Sequence, residues 1–158
     1  MKISIRMASQ VLLCSLVVAL SACATFHVVS PDPGDVIAHV NGWIRNATDN
    51  IEITVVFSEP VDSTTVVAGT TIYLETPTDG RAGGSVTWID AKTLKFTSAK
   101  TAGLLLSPRF TTDAFFGMKI LGNDTGGGVV KALGGTILDG DADGHPGGNY
   151  LMGFTLIG

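Results

Sequence analysis

The stretch of this chain richest in potential chemistry is Asp139-Gly140-Asp141-Ala142-Asp143-Gly144-His145. Three carboxylates at alternating positions in a glycine-rich loop are hard oxygen donors able to converge on a divalent cation, and Ca²⁺ takes about six to eight oxygens at roughly 2.3–2.6 Å. Gly144 falls where an EF-hand loop needs its sharp turn, but Tyr150 stands where the bidentate Glu belongs and Pro146 interrupts the loop. No helical pattern flanks the segment, so it is not an EF-hand. A looser Ca²⁺ site at Asp139, Asp141 and Asp143, completed by Asn149 or a distant carboxylate, stands open. Beside it stands a plain solvated turn, which Asp and Gly favour for conformational reasons alone.

The other chemical signatures fail on spacing. Asp124-Thr125-Gly126 spells the tripeptide of retropepsin-like aspartic proteases. Those enzymes place it after an apolar strand end, whereas here Gly122-Asn123 precede it and Gly127-Gly128 follow. A carboxylate dyad would also need a second such aspartate from another copy. His27, His39 and His145 lack zinc spacing and have no cysteine pair to help them. No G-x-S-x-G elbow is present, and Gly126-Gly127-Gly128 lacks the Gly-Lys-Ser/Thr of a phosphate loop. Asn46-Ala47-Thr48 and Asn123-Asp124-Thr125 are formal glycosylation sequons. The expectation is a protein with no catalytic residues, no required cofactor and, at most, Ca²⁺.

One cysteine has a context of its own. Lys2 and Arg6 provide a positive segment, Val11 to Leu20 is a short apolar run, and Ser21 and Ala22 are small. That order is the pattern of an export signal, and the run is too short to cross a hydrocarbon core about 30 Å thick as a permanent helix. Leu20-Ser21-Ala22-Cys23 resembles the bacterial lipobox. The resemblance implies diacylglyceryl transfer to the Cys23 thiol, cleavage before Cys23 and acylation of the new amino group, hence palmitate-like chains and membrane anchorage. Two readings compete: ordinary cleavage near Ala22 or Ala24, releasing a soluble protein, and an uncleaved anchor, which would have to extend through the poorly apolar Thr25, His27 and Ser30. Ala24, where Asp commonly marks inner-membrane retention in enterobacteria, favours the outer membrane if the cell is Gram-negative.

Removal of residues 1–22 from the 158-residue chain leaves 136, about the size of one domain. Cys14 departs with the signal and Cys23 is blocked by lipid, so no disulfide is available and a packed core must carry stability. Eight basic residues then face fourteen acidic ones. That balance excludes a basic nucleic-acid footprint and a polybasic grip on anionic lipid, leaving the acyl chains as the anchor.

The elements that must position these residues read as strands. Residues 24–34, with Pro31, Pro33 and Gly34, form a tether or, at Val28-Val29, a first edge strand. Ile51, Ile53, Val55 and Phe57 alternate with Glu52, Thr54 and Val56. The same period of two recurs in Thr70 to Glu75, at Val86 and Trp88, at Leu94 and Phe96, at Phe116, Met118 and Ile120, and at Tyr150, Met152, Phe154 and Leu156. Asp90-Ala91-Lys92 predicts a hairpin turn, and Asp62 is placed to cap a short turn through the amides of Thr64 or Thr65. Aromatic side chains on an exposed sheet could stack on sugars; at alternating positions Phe57, Trp88, Phe96 and Phe154 are instead expected in the core. Trp43 has no clear place. The expected fold class is an all-β antiparallel sandwich of one domain.

Ile51 to Asp62 (IEITVVFSEPVD), the Ser63-Thr64-Thr65-Val66 turn and the strand from Thr70 to Leu74 resemble the bacterial immunoglobulin-like domain of the S-layer-protein type. That family typically opens with "I-x-V-x-F-S-E-P-V-D-x-x-T". Its "V-x-W/Y-D" hairpin is similar to Val86-Thr87-Trp88-Ile89-Asp90 with Phe96, and its glycine-rich, aspartate-bearing last loop is similar to Leu138 to Asp141 and Gly147 to Tyr150. The segment Lys100 to Phe116 departs from the pattern, being longer and more apolar. The resemblance implies an immunoglobulin-like β-sandwich over residues 35–158, behind a signal peptide at 1–22 and a lipidated tether at 23–34. It also implies a structural or protein-interaction module at the cell surface, with a protein or glycan partner. The alternative is a Ca²⁺-assisted carbohydrate-binding or adhesion module.

Overall fold

The sequence from Asn50 to Phe57 alternates polar and apolar side chains, and a strand sends alternate side chains to opposite faces. Ile51, Ile53, Val55 and Phe57 therefore all turn inward and are buried, while Asn50, Glu52 and Thr54 lie in solvent. The computed structural model describes residues 25–31, 48–76, 79–106, 117–123, 126 and 128–153. Within them the chain forms β1 (Val28–Ser30), β2 (Asn50–Phe57), a 3-10 turn (Ser63–Thr65), β3 (Ile72–Thr76) and β4 (Gly80–Ala82). It continues through β5 (Gly84–Trp88), β6 (Thr93–Thr101), α1 (Ala102–Leu106), β7 (Gly117–Leu121) and β8 (Asn149–Gly153).

Two four-stranded antiparallel sheets result, ordered β1-β2-β6-β5 and β4-β3-β7-β8. The fold is all-β, and the inner faces share one apolar core. Ile51, Ile53, Leu94 and Phe96 enter it from the first sheet, and Ile72, Leu74, Met118 and Met152 from the second. Phe57 and Phe96 are buried as their alternation predicts, and the half-buried Trp88 packs against the core edge. Phe154, Phe116 and Trp43 lie outside the described residues, as do Cys14 and Cys23.

The chain changes sheets at Gly83, directly between β4 and β5. Glycine is required by contact at the next residue. A Cβ on Gly84 would meet the Thr97 carbonyl and come within 2.9 Å of the Phe96 ring, so the strand approaches β6 more closely than any side chain permits. A second irregularity lies where β2 meets β6. Asn50 opposes Thr101 and Glu52 opposes Thr97, so β6 carries extra residues in a bulge. The Ser98 hydroxyl fills the interrupted ladder, accepting from the Ile51 amide at 2.8 Å and donating to the Lys100 carbonyl at 2.7 Å.

Of the two readings for the start of the domain, Val28–Ser30 takes the edge-strand one. Phe26 just before it is fully buried and stacks on Phe57 with ring centroids 5.6 Å apart. The Tyr150 hydroxyl donates to the Pro31 carbonyl at 2.7 Å, tying β8 to the far end of the same segment. Two elements have no counterpart in the sequence reading. β4 is only Gly-Arg-Ala, too short for an alternation to show, and α1 is a single short helix in the segment that departs from the family pattern.

Candidate functional site

Asp139, Asp141 and Asp143 sit in the connection from Leu138 to β8. The loop leaves the body as a narrow neck. The Asp139 amide donates to the Phe26 carbonyl at 2.7 Å, the Gly140 amide to Gly147 at 2.8 Å, and the Gly147 amide to Leu138 at 3.0 Å. Gly140 lies so close to the Asn149–Tyr150 backbone that a Cβ would collide with it. Ala142 (φ 57°) and Gly144 (φ 90°) then take left-handed conformations that reverse the chain.

Asp139 organises this loop from beneath. Only 2% of it is exposed, and its two carboxylate oxygens accept from the Asp143 amide at 3.2 Å and the Gly144 amide at 3.1 Å. Asp143 repeats the device on a smaller scale, accepting from the His145 amide at 2.8 Å. The side chain of Asp141 lies over Gly148, whose φ of 67° and lack of a Cβ make room for it. Asp141 and Asp143 are exposed.

One oxygen of each of the three aspartates lies within 4.8 Å of the others, and among the described residues this is the one group of three acidic, His or Cys side chains that converges so closely. The spacing in the sequence thus brings together the residues it nominates. Asn149, one of the two groups offered to complete the shell, is engaged elsewhere. Its Oδ1 accepts from the Gly122 and Asn123 amides at 3.2 and 3.1 Å, closing the end of β7 instead of reaching into the loop. The three carboxylates fit the oxygen chemistry of a hard cation, but supply only part of the shell Ca²⁺ takes. The loop amides already occupy oxygens of two of them, Asp139 and Asp143.

Two more aspartates use main-chain capture at the surface. The Asp62 carboxylate accepts from the Thr64 hydroxyl at 2.6 Å and the Thr64 amide at 3.0 Å, the cap expected for this turn. These bonds, the hydroxyl's first, lower its pKa from the ordinary 3.8. Asp90 accepts from the Lys92 amide at 2.7 Å, and that bond, then the Thr93 hydroxyl's, lowers its pKa in the same way. The burial of Asp139 is the one feature of the site with no signal in the local sequence, because its neighbours come from Phe26 at the start of the fold.

Of the remaining nominated groups, Asp124 and Thr125 lie outside the described residues, as does His39. His27 Nδ1 lies 2.7 Å from the Thr25 carbonyl at the chain entry, and His145 lies in the acidic loop. Among the described residues no helix is long and apolar enough to cross a membrane. No protein-family model matches this chain, and no curated protein or solved structure matches it either.

Proposed function

We propose that the protein is an exported, lipid-anchored surface protein whose sheets form an immunoglobulin-like sandwich acting as a structural or protein-interaction module. The sequence Leu20-Ser21-Ala22-Cys23 after a short apolar run carries this reading. The position of the fold supports it. Among the described residues Phe26 is the first that is buried and every described element follows it, so cleavage before Cys23 would leave each of them whole. A single acyl chain anchors a protein only marginally, whereas the several chains a lipobox implies hold it firmly. Cys23→Ala tests the proposal. The variant should lose its membrane association and the mass of the lipid, appearing as uncleaved precursor or soluble protein; unchanged fractionation and mass would contradict it.

A second reading, a Ca²⁺-assisted carbohydrate-binding or adhesion module, has one observation in its favour: the convergence of Asp139, Asp141 and Asp143. A glycan pull-down with and without calcium separates the two. Capture of glycan only in calcium supports the second reading, and capture in neither supports the first.

A further inference from the structure

The strand end at which the chain enters the fold carries two exposed aliphatic side chains, and the covalent reach from Cys23 sets how far that end stands from a lipid anchor. Three residue steps separate Cys23 from the buried Phe26. At about 3.3–3.6 Å per extended residue the reach is at most roughly 11 Å. The last of those steps is fastened to the body. Ser58 exchanges bonds with this segment, its amide donating to the His27 carbonyl at 2.9 Å and its hydroxyl both accepting from the His27 amide at 3.0 Å and donating to the Thr25 carbonyl at 3.3 Å. A headgroup layer is itself roughly 5–8 Å deep on each side of the hydrocarbon. Lipid on Cys23 therefore leaves no room for a free-standing domain.

The segment from Phe57 to Val61, which holds the chain entry, also holds Ile89 and Leu133. Ile89 belongs to the hairpin turn whose Lys92 and Ala91 carbonyls accept from the Phe57 and Val61 amides, both at 2.9 Å. The Leu133 amide donates to the Pro60 carbonyl at 2.7 Å. Ile89 is 60% and Leu133 73% exposed, the latter the most exposed of the large apolar side chains described. Beside them the Lys92 ammonium donates to the Ser58 carbonyl at 2.8 Å.

We infer that this end of the sandwich is a membrane-docking surface, with Ile89 and Leu133 seated in the bilayer interface and the strands standing away from it. The inference rests on the lipoprotein reading. Its occupant is the bilayer that holds the Cys23 lipid, because that bilayer lies within reach of this end and of no other. Among the described residues, Glu59 and Asp62 lie in or beside the segment that holds the entry, and Asp90 lies in the hairpin turn. The bond from the Asp139 amide to the Phe26 carbonyl brings the acidic loop to the same end, so carboxylates there outnumber Lys92 and Lys131. Charge therefore gives no attraction to anionic lipid, and the contact depends on apolar insertion into a neutral surface. The α1 end, where the Ala102 amide bonds the Asp49 carbonyl, faces away. It stands the length of β2, roughly 23 Å, from the membrane.

The test uses the lipidated full chain in zwitterionic phosphatidylcholine vesicles. The processed chain has no thiol besides the blocked Cys23, so Ile89→Cys, Leu133→Cys and Leu104→Cys each accept one environment-sensitive fluorophore. Leu104, 63% exposed on α1, is the distal control. Bromine-labelled acyl chains should quench the labels at 89 and 133 severalfold more than the label at 104, with blue-shifted emission at the first two only. Equal quenching at all three sites, on protein whose mass shows lipid at Cys23, would overturn the docking surface and leave the lipoprotein reading intact. Absence of lipid from Cys23 would overturn both.

Discussion

At Asp90 an exposed carboxylate accepts the Lys92 amide and closes a tight hairpin between β5 and β6; at Asp139 a buried carboxylate accepts two amides and holds a long loop closed before β8. The chemistry is the same, a side-chain oxygen replacing a missing main-chain partner. What differs is how much depends on it. The Asp90 turn is also held by the ladder on either side, where Trp88 pairs Leu94 and Val86 pairs Phe96. The Asp139 loop has a narrow neck and the smaller Asp143 turn, so its closure rests chiefly on one buried side chain. Strand pairing tolerates the loss of a turn residue better than a loop tolerates the loss of its organiser.

The largest effect expected on that contrast is in the ladder's own core. Phe96→Ala removes a fully buried ring and should cost about 3–5 kcal/mol in denaturant unfolding. Asp139→Ala should cost less, about 1.5–3 kcal/mol, because two amides lose a charged acceptor. Its signature is local: faster hydrogen exchange at Asp143 and Gly144, with the Ile53 and Phe96 amides unchanged. Equal loosening of β2 and β6 would break the distinction between loop and ladder.

Calcium sharpens the same comparison. If the three aspartates hold Ca²⁺, millimolar calcium should raise the melting temperature of the wild-type chain and not of Asp141→Asn; no heat of binding and no shift in melting would reduce the loop to a hydrogen-bonded turn.

The smallest effect concerns the exposed carboxylates. Asp62 and Asp90 have lowered pKa values, so each binds a proton less readily folded than unfolded. Their contribution is complete above the ordinary 3.8 and is lost as pH falls through the depressed folded values. Thr64→Val removes the larger of the two bonds on Asp62 and should move its carboxyl titration, followed by NMR, up toward 3.8 while leaving Asp90 in place. An unmoved Asp62 would contradict the assignment.

The strands are legible in the sequence where one face is wet and the other dry. β2 shows this best, and its alternation is the burial pattern observed. β3 is less plain: Tyr73 is buried on the outer face too, with the Arg81 guanidinium 4.7 Å from its ring centroid. β4 and α1 are too short to carry a period. In the acidic loop the spacing of Asp139, Asp141 and Asp143 predicts their convergence, but not which of them is buried. That depends on the Phe26 carbonyl, brought from the other end of the chain by β1. Asn149 misleads for a related reason, since its partners at Gly122 and Asn123 become neighbours only when β7 and β8 pair.

The most direct test of the account is the mass of the N-terminal peptide from protein taken from the membrane fraction of its native host. A peptide beginning at Cys23 and carrying diacylglycerol is the predicted result. A peptide with an unmodified Cys23 thiol, or one that retains residues 1–22, would contradict it.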